Sequence, residues 1–275
     1  MATSAVREYV LGTGGDELER LGLQHRLWSD ATHELWRTAA VAPGQRVLDV
    51  GCGPGHASFD LAQLVQRSGR VFGVDESPNF VAFLNEQAAA RHLPQLAAAV
   101  GDVQNLDAPL AHEAPFDLAY ARWVLCFVPR PADVIAGIAR ALRPGGRLVV
   151  QDYFNYESMT LSTKSAAYKK AVAATARSWR AHGGDPDIAG RLPRLFAENG
   201  LELTHLAQRQ RSARPSESMW HWVRSWWRIY VPKLVAMGEL TPADQDAFFR
   251  DFDGLDARTD FALLPTVFEL VAVKR

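Results

Sequence analysis

Asp49 and three glycines, Gly51, Gly53 and Gly55, fall within seven residues of the stretch VLDVGCGPGHAS, Val47 to Ser58. These types at this spacing could hold a ligand. An apolar strand, a tight glycine turn and a helix N-terminus bring free backbone N–H groups against a bound group. Two ligand classes use such a loop. A dinucleotide wants Gly-x-Gly-x-x-Gly, with its pyrophosphate on the helix dipole. Here the third glycine comes one place early, and His56 holds the sixth position. Asp49 stands two residues before Gly51. A carboxylate there faces a pyrophosphate with like charge, and suits a ligand bearing an amino group or a sulfonium. A glycine turn with no ligand is the remaining reading.

The elements that must position this loop alternate in type. Val47, Leu48 and Val50 form the apolar run of a strand buried on both faces. Leu61, Leu64 and Val65 recur at helical spacing after the loop. Further strands are expected at 70–75, 96–102, 116–122 and 147–152, with helices at 79–92 and 131–142 between them. Such alternation means a parallel α/β sheet. Before the first strand, residues 16–40 read as a helix carrying Leu18, Leu21, Leu27, Trp28, Leu35 and Trp36 on one broad face.

The second half is less regular. Helices are expected at 162–182, 188–199, 217–240 and 242–252, with Gly200 in a C-cap position. LELTHLAQ and TVFELVAVK read as strands. Met219, Val223, Trp226 and Tyr230 recur at helical spacing beside Trp220, His221, Trp222 and Trp227. This helix is either a face buried against the sheet or an aromatic roof over a planar or cationic molecule.

Five segments in order carry a resemblance to a known family: VLDVGCGPG, GVDESP, VGDVQNLDAP, FDLAYARWVLCFV and LRPGGRLVVQDYF. Together they resemble the motifs of class I S-adenosylmethionine-dependent methyltransferases of small-molecule type, like those acting on quinone precursors or natural products. The resemblance covers about 45–155 well. It implies an α/β fold, a Rossmann-like seven-stranded class I methyltransferase sheet with helical lid insertions. One methyltransferase domain over 1–275 is expected: an N-terminal helical lid at 1–40, a cofactor-binding core at 41–155, and insertions at 156–186 and 211–264 over the substrate.

The resemblance also implies a site. Asp49, Gly51 and Gly53 would hold the cofactor's amino-acid end. Asp75, with Glu76 beside it, would bind the ribose hydroxyls, and Asp102 and Val103 would meet the adenine. Ala121 and Arg122 follow the fourth strand, where contacts to the methionine moiety fall. Arg122 is read either as partner of its carboxylate or as part of a surface ion pair. Tyr9, Gln24 and Trp28 lie in the segment that closes over the cofactor in similar enzymes; for these, core or lid packing is the stronger reading. Tyr153, Tyr156, His221 and Trp222 are candidate acceptor contacts. His56 is expected to face solvent or to cap its helix. No catalytic residue is assigned: the sulfonium already activates the methyl group, so proximity and orientation matter most. No metal is expected, because Asp152 stands alone.

The bulk of the chain bounds the alternatives. Formal net charge is -1 over 275 residues, which speaks against an obligate nucleic-acid partner. Apolar residues make up 48%, enough for a sizeable core. No apolar run spans a bilayer and no signal peptide is legible, so a cytoplasmic protein, monomer or homodimer, is expected. Two cysteines, Cys52 and Cys126, exclude a disulfide scaffold. The competing readings are a non-catalytic S-adenosylmethionine-binding module and, against Asp49 and the glycine spacing, a nicotinamide-dependent oxidoreductase.

Overall fold

The computed structural model describes residues 15–113 and 115–275. Five strands, β1 (Arg46–Val50), β2 (Arg70–Asp75), β3 (Leu96–Val100), β4 (Phe116–Arg122) and β5 (Leu142–Tyr153), are followed by β6 (Thr160–Leu161), β7 (Leu201–Arg209), β8 (Ser212–Ala213), β9 (Ala262–Leu263) and β10 (Val267–Lys274). The main sheet has seven strands in the order β3-β2-β1-β4-β5-β10-β7. The first five pair in parallel, and β10 runs antiparallel to both of its neighbours. The strand order reverses direction between β1 and β4, the switch point where open α/β sheets bind ligands.

Eight α-helices accompany the strands among the described residues: α1 (Gly15–Thr38), α2 (His56–Val65), α3 (Pro78–Ala90), α4 (Pro131–Ala141), α5 (Ala166–Ala181), α6 (Leu192–Glu198), α7 (Ser218–Ala236) and α8 (Pro242–Asp253). Strand alternation divides the core between the two sheet faces. Leu48 and Val50 join the aromatic residues of α5, α7 and α8 on one side. Val47, Leu118 and Val149 join α2 and the Leu35–Trp36 end of α1 on the other. At roughly 25 cal/mol per Å² of apolar surface removed from water, these two layers supply most of the stabilisation.

Three local details depart from expectation. β3 ends at Val100, so Gly101 and Asp102 lie in the loop beyond it. β5 begins at Leu142, and the Pro144-Gly145-Gly146 turn is a bulge inside it, where pairing with β4 slips between Phe116 and Leu118. A second, three-stranded sheet, β6-β9-β8, ties the helical segments together. Its strands are two residues long, too short to show a period.

Candidate active site

The glycine loop leaves β1 toward α2 and is tied to the end of β2. Gly51 and Cys52 both donate their backbone N–H to the Val74 carbonyl, at 2.8 and 3.1 Å. Gly51 has φ +66, and a Cβ there would lie 2.4 Å from the Val124 side chain. Gly53 also has positive φ, +53, but a Cβ on it would meet nothing within 4 Å. The first glycine is therefore required by packing. The second opens onto free space and keeps its backbone approachable.

Asp75 ends β2 and is buried. Its Oδ2 accepts from Gly53 N–H at 2.8 Å and its Oδ1 from Ser77 N–H at 2.9 Å. Burial raises its pKa, and those two N–H donors oppose the rise. Ser77 caps α3, accepting from Phe80 N–H at 3.3 Å. Asp102 sits two residues beyond Val100, the register partner of Asp75, and Gly101 N–H donates to the Asp75 carbonyl at 2.9 Å. Asp102 is exposed and accepts from Gln104; Val103 is buried and Glu76 is exposed. These acids thus cluster at the carboxyl ends of two adjacent strands.

Asp49 lies behind the loop and is not among the cavity's walls. It is buried and accepts from the Ser58 hydroxyl of α2. Burial pushes its pKa up to about 6, with Ser58 and the nearby Arg122 pulling the other way. Ala121, on the neighbouring strand, is likewise buried, paired in register with Val50.

Arg122 ends β4 and is held by α1. Its guanidinium donates to Thr32 Oγ1 and to His25 Nδ1, each at 3.1 Å, and forms no ion pair among the described residues. The surface ion pair weighed for Arg122 is therefore not formed among the described residues. Because an arginine only donates, His25 Nδ1 must accept, which places the proton on Nε2. That N–H donates to Asp60 Oδ2 at 3.0 Å, and His33 reaches the same oxygen at 3.1 Å. Burial, helped by Arg122, lowers the His25 pKa even though Asp60 opposes this. Thr32 continues the chain, donating to Gln151 Oε1, which Tyr120 also reaches.

His56 corrects the expectation of a solvent-facing or capping residue. It lines the cavity, its ring stacks on His25 at 5.9 Å, and its buried Nε2 has no hydrogen-bond partner. Burial, and then the neighbouring His25, bring its pKa down to about 4. It is a neutral ring at neutral pH. The helix α1 packs against α2 here, which a reading of the loop alone does not foresee.

One cavity, of about 980 Å³ counting its open mouth, joins these parts. Its near end is formed by Cys52, Gly53, Pro54, His56 and Arg122. Arg20 and Gln24 of α1 close one side. Its far end is aromatic: Trp123, Tyr153, Tyr156, Trp179, Trp222 and Trp226. Trp123 stacks between Tyr153 and Trp222, with centroids at 6.1 Å from each. Phe127 stands at the rim, 39% exposed, against Trp179 at 4.7 Å. Gln24 Oε1 accepts from Trp222 Nε1 at 2.8 Å and from Arg20 at 3.2 Å.

The structure therefore brings Gly53, Gln24, Arg122, Tyr153, Tyr156 and Trp222 to one cavity. It does not bring His221 there. One position from Trp222 is about 100° around a helix, and His221 is exposed. Trp28 is fully buried outside the cavity wall, edge-on to both Trp123 and Trp222. The α7 face is both of the things weighed for it: Trp220 packs on Phe252, while Trp222 and Trp226 look into the cavity. Tyr9 lies outside the described residues. Arg20, Trp123 and Trp179 line the cavity and His25 holds Arg122, none of them expected at the site from the sequence. The periodicity of α5 and α7 marks their apolar face but not what that face covers. Among the described residues, no helix is long and apolar enough to cross a membrane and no cluster of His, Cys, Asp or Glu is arranged to hold a metal ion.

Sheet order, the glycine loop behind β1 and the acid ending β2 define a class I, Rossmann-like methyltransferase fold. A family model described as a methyltransferase domain matches residues 42–209, and the chain belongs to that family, whose class I members use S-adenosylmethionine. Trans-aconitate 2-methyltransferase of Methylobacterium radiotolerans is 36% identical over 60% of this chain and 57% of that protein. The 2-phytyl-1,4-naphtoquinone methyltransferase of Synechococcus elongatus is 35% identical over 44% of this chain and 53% of its own. The chain spans little more than half the length of these relatives. Geranyl diphosphate C-methyltransferase from Streptomyces coelicolor, solved with Mg2+, geranyl diphosphate and S-adenosyl-L-homocysteine, superposes with a TM-score of 0.55 at 16% identity, over 91% of this chain and 82% of that one. At that identity the likeness concerns the fold alone.

Proposed function

We propose that the chain transfers the methyl group of S-adenosylmethionine to a small-molecule acceptor held in the aromatic end of the cavity. The observation that carries this is the continuity of one cavity from the glycine loop at Gly53 to the aromatic wall at Trp123, Tyr153 and Trp222. The residues present fit the cofactor. Gly53 leaves open space where a side chain would stand, Asp75 offers a fixed carboxylate at the loop's edge, and Arg122 is a cation without a carboxylate partner among the described residues. Asp75 would accept from ribose hydroxyls, Asp102 and Val103 would lie along the base, and Arg122 would meet the methionine carboxylate.

When bound, the sulfonium supplies an activated methyl group for in-line displacement by the acceptor. The chain's part is to orient the acceptor and exclude water. The rings of Trp123, Tyr153 and Trp222 fix its plane. The tyrosine hydroxyls of Tyr153 and Tyr156, pushed well up by burial, stay protonated and act as donors rather than bases. His56 is a neutral part of the wall, its buried Nε2 lying against Gly22 of α1. The helices α1, α5 and α7 form the lid over this chamber.

Incubation with tritium-labelled S-adenosylmethionine and a pool of small hydroxylated and carboxylated acceptors tests the proposal. Label should pass to at least one acceptor. Cofactor binding with no transfer to any of them would favour a binding module instead.

A further inference from the structure

An aromatic chamber invites the idea of a cationic guest, since an ammonium is drawn to a tryptophan face. The charges of this chamber argue the other way. Its titratable lining contains Arg20, Arg122, His56, Cys52 and two tyrosines, and no aspartate or glutamate. The acids behind the wall, Asp49 and Asp75 at the glycine loop as well as Glu17 and Asp152, are already engaged. Both Glu17 oxygens are taken by Arg20, at 2.6 and 2.8 Å, in an ion pair that is itself buried. Asp152 is fully buried behind Tyr153, accepting from the backbone N–H groups of Cys126 and Tyr153. An ammonium brought to the aromatic end loses its water and meets no carboxylate in that wall, a desolvation cost that outweighs cation–π attraction.

The polar groups that remain are donors. Arg122 and the hydroxyls of Tyr153 and Tyr156 present protons, while Arg20 is already paired with Glu17 and Gln24. The stacked pair of Trp123 and Tyr153, 18° from parallel, and Trp222 at 25° to Trp123 provide flat surfaces. Such a wall matches a flat ring and offers it hydrogen bonds to accept.

We propose that the acceptor taken by this cavity is a planar aromatic molecule carrying a neutral or anionic oxygen, and that aromatic ammonium compounds are rejected. The word acceptor rests on the methyl-transfer reading, whereas the preference for charge rests on the wall alone.

Calorimetric titration of the full chain with three probes of one shape tests it: 2-naphthol, 2-naphthoate and 2-naphthyltrimethylammonium. Each is titrated with and without S-adenosylhomocysteine, whose neutral sulfide removes any repulsion from a sulfonium. The naphthol or the naphthoate should bind at least about tenfold more tightly than the ammonium. Trp226→Leu, at a half-buried wall position, should weaken that binding. Ammonium binding as tightly as the other two, no binding by any probe, or no effect of Trp226→Leu overturns the proposal. S-adenosylhomocysteine titrated by itself reports separately on the cofactor: if it fails to bind while 2-naphthol still binds, methyl transfer is lost and the charge preference stands.

Discussion

The backbone N–H of Gly53 donates to Oδ2 of Asp75 at 2.8 Å, joining residues 22 positions apart. With Ser77 N–H on the other oxygen at 2.9 Å, the carboxylate is fixed by main chain on both sides. The acid at the end of β2 and the glycine loop after β1 are thus one rigid unit before any ligand arrives. Asp75→Ala removes a ribose acceptor and releases the loop together. Affinity for S-adenosylhomocysteine should fall by about 1–3 kcal/mol, or roughly tenfold to a hundredfold, by calorimetry. Unchanged affinity would mean that the ribose sits elsewhere.

The two loop glycines should separate stability from binding. Gly51→Ala adds strain at φ +66 and drives a methyl to 2.4 Å from Val124. It should cost about 2–4 kcal/mol of stability, read as a lower urea midpoint. Gly53→Ala meets open space and pays only for its left-handed backbone, about 1–2 kcal/mol. Its larger effect should be on ligand affinity, because the new methyl stands in the space the cofactor would fill.

On α7, neighbouring residues should behave differently. Trp222→Phe loses the indole donor to Gln24 and should cost about 1 kcal/mol, lowering Tm by about 2–4 °C. His221→Ala, at an exposed position, should change stability by less than about 0.5 kcal/mol. Equal effects at the two positions would show that the face of α7 has been assigned wrongly.

Buried groups of opposite sign should shape the pH profile. His56, at about 4, and His25, lowered in the same direction, bind protons less readily in the folded chain than in the unfolded one. The His56 contribution is complete above about 6.5 and is lost as pH falls toward 4, and that of His25 is lost in the same direction. Asp49 and Asp152, both pushed up to about 6 by burial, act inversely: their contribution is complete below about 4 and is lost as pH rises to 6. The two effects oppose each other across that window. Compared with the unmodified chain, His56→Gln should lose Tm, and Asp152→Asn gain it, on going from pH 4 to pH 6. Profiles that run parallel to that of the unmodified chain would contradict these protonation states.

Much of this was legible in local pattern. The apolar runs of β1 to β5 and the glycine loop are written in consecutive residues, and the sheet follows from their alternation. Asp75 is legible because it closes a strand. The chamber is not, because its walls come from α1, β4, β5, α5 and α7, segments brought together only by tertiary packing. Trp123 shows the difference: it is one aromatic among eight tryptophans in sequence, yet in the fold it takes φ +53 at the end of β4 and stands between Tyr153 and Trp222. His56 was misjudged for the same reason, since its burial depends on Gly22 of α1 lying against its ring. The β6-β9-β8 sheet escaped because two-residue strands carry no signal.

The central claim, that the loop between β1 and α2 serves S-adenosylmethionine, is tested most directly by titrating the intact chain in a calorimeter with S-adenosylmethionine and, separately, with NADH. Saturable binding of S-adenosylmethionine, weakened in Asp75→Ala, with no heat from NADH, is the predicted result. Binding of NADH without binding of S-adenosylmethionine would contradict it.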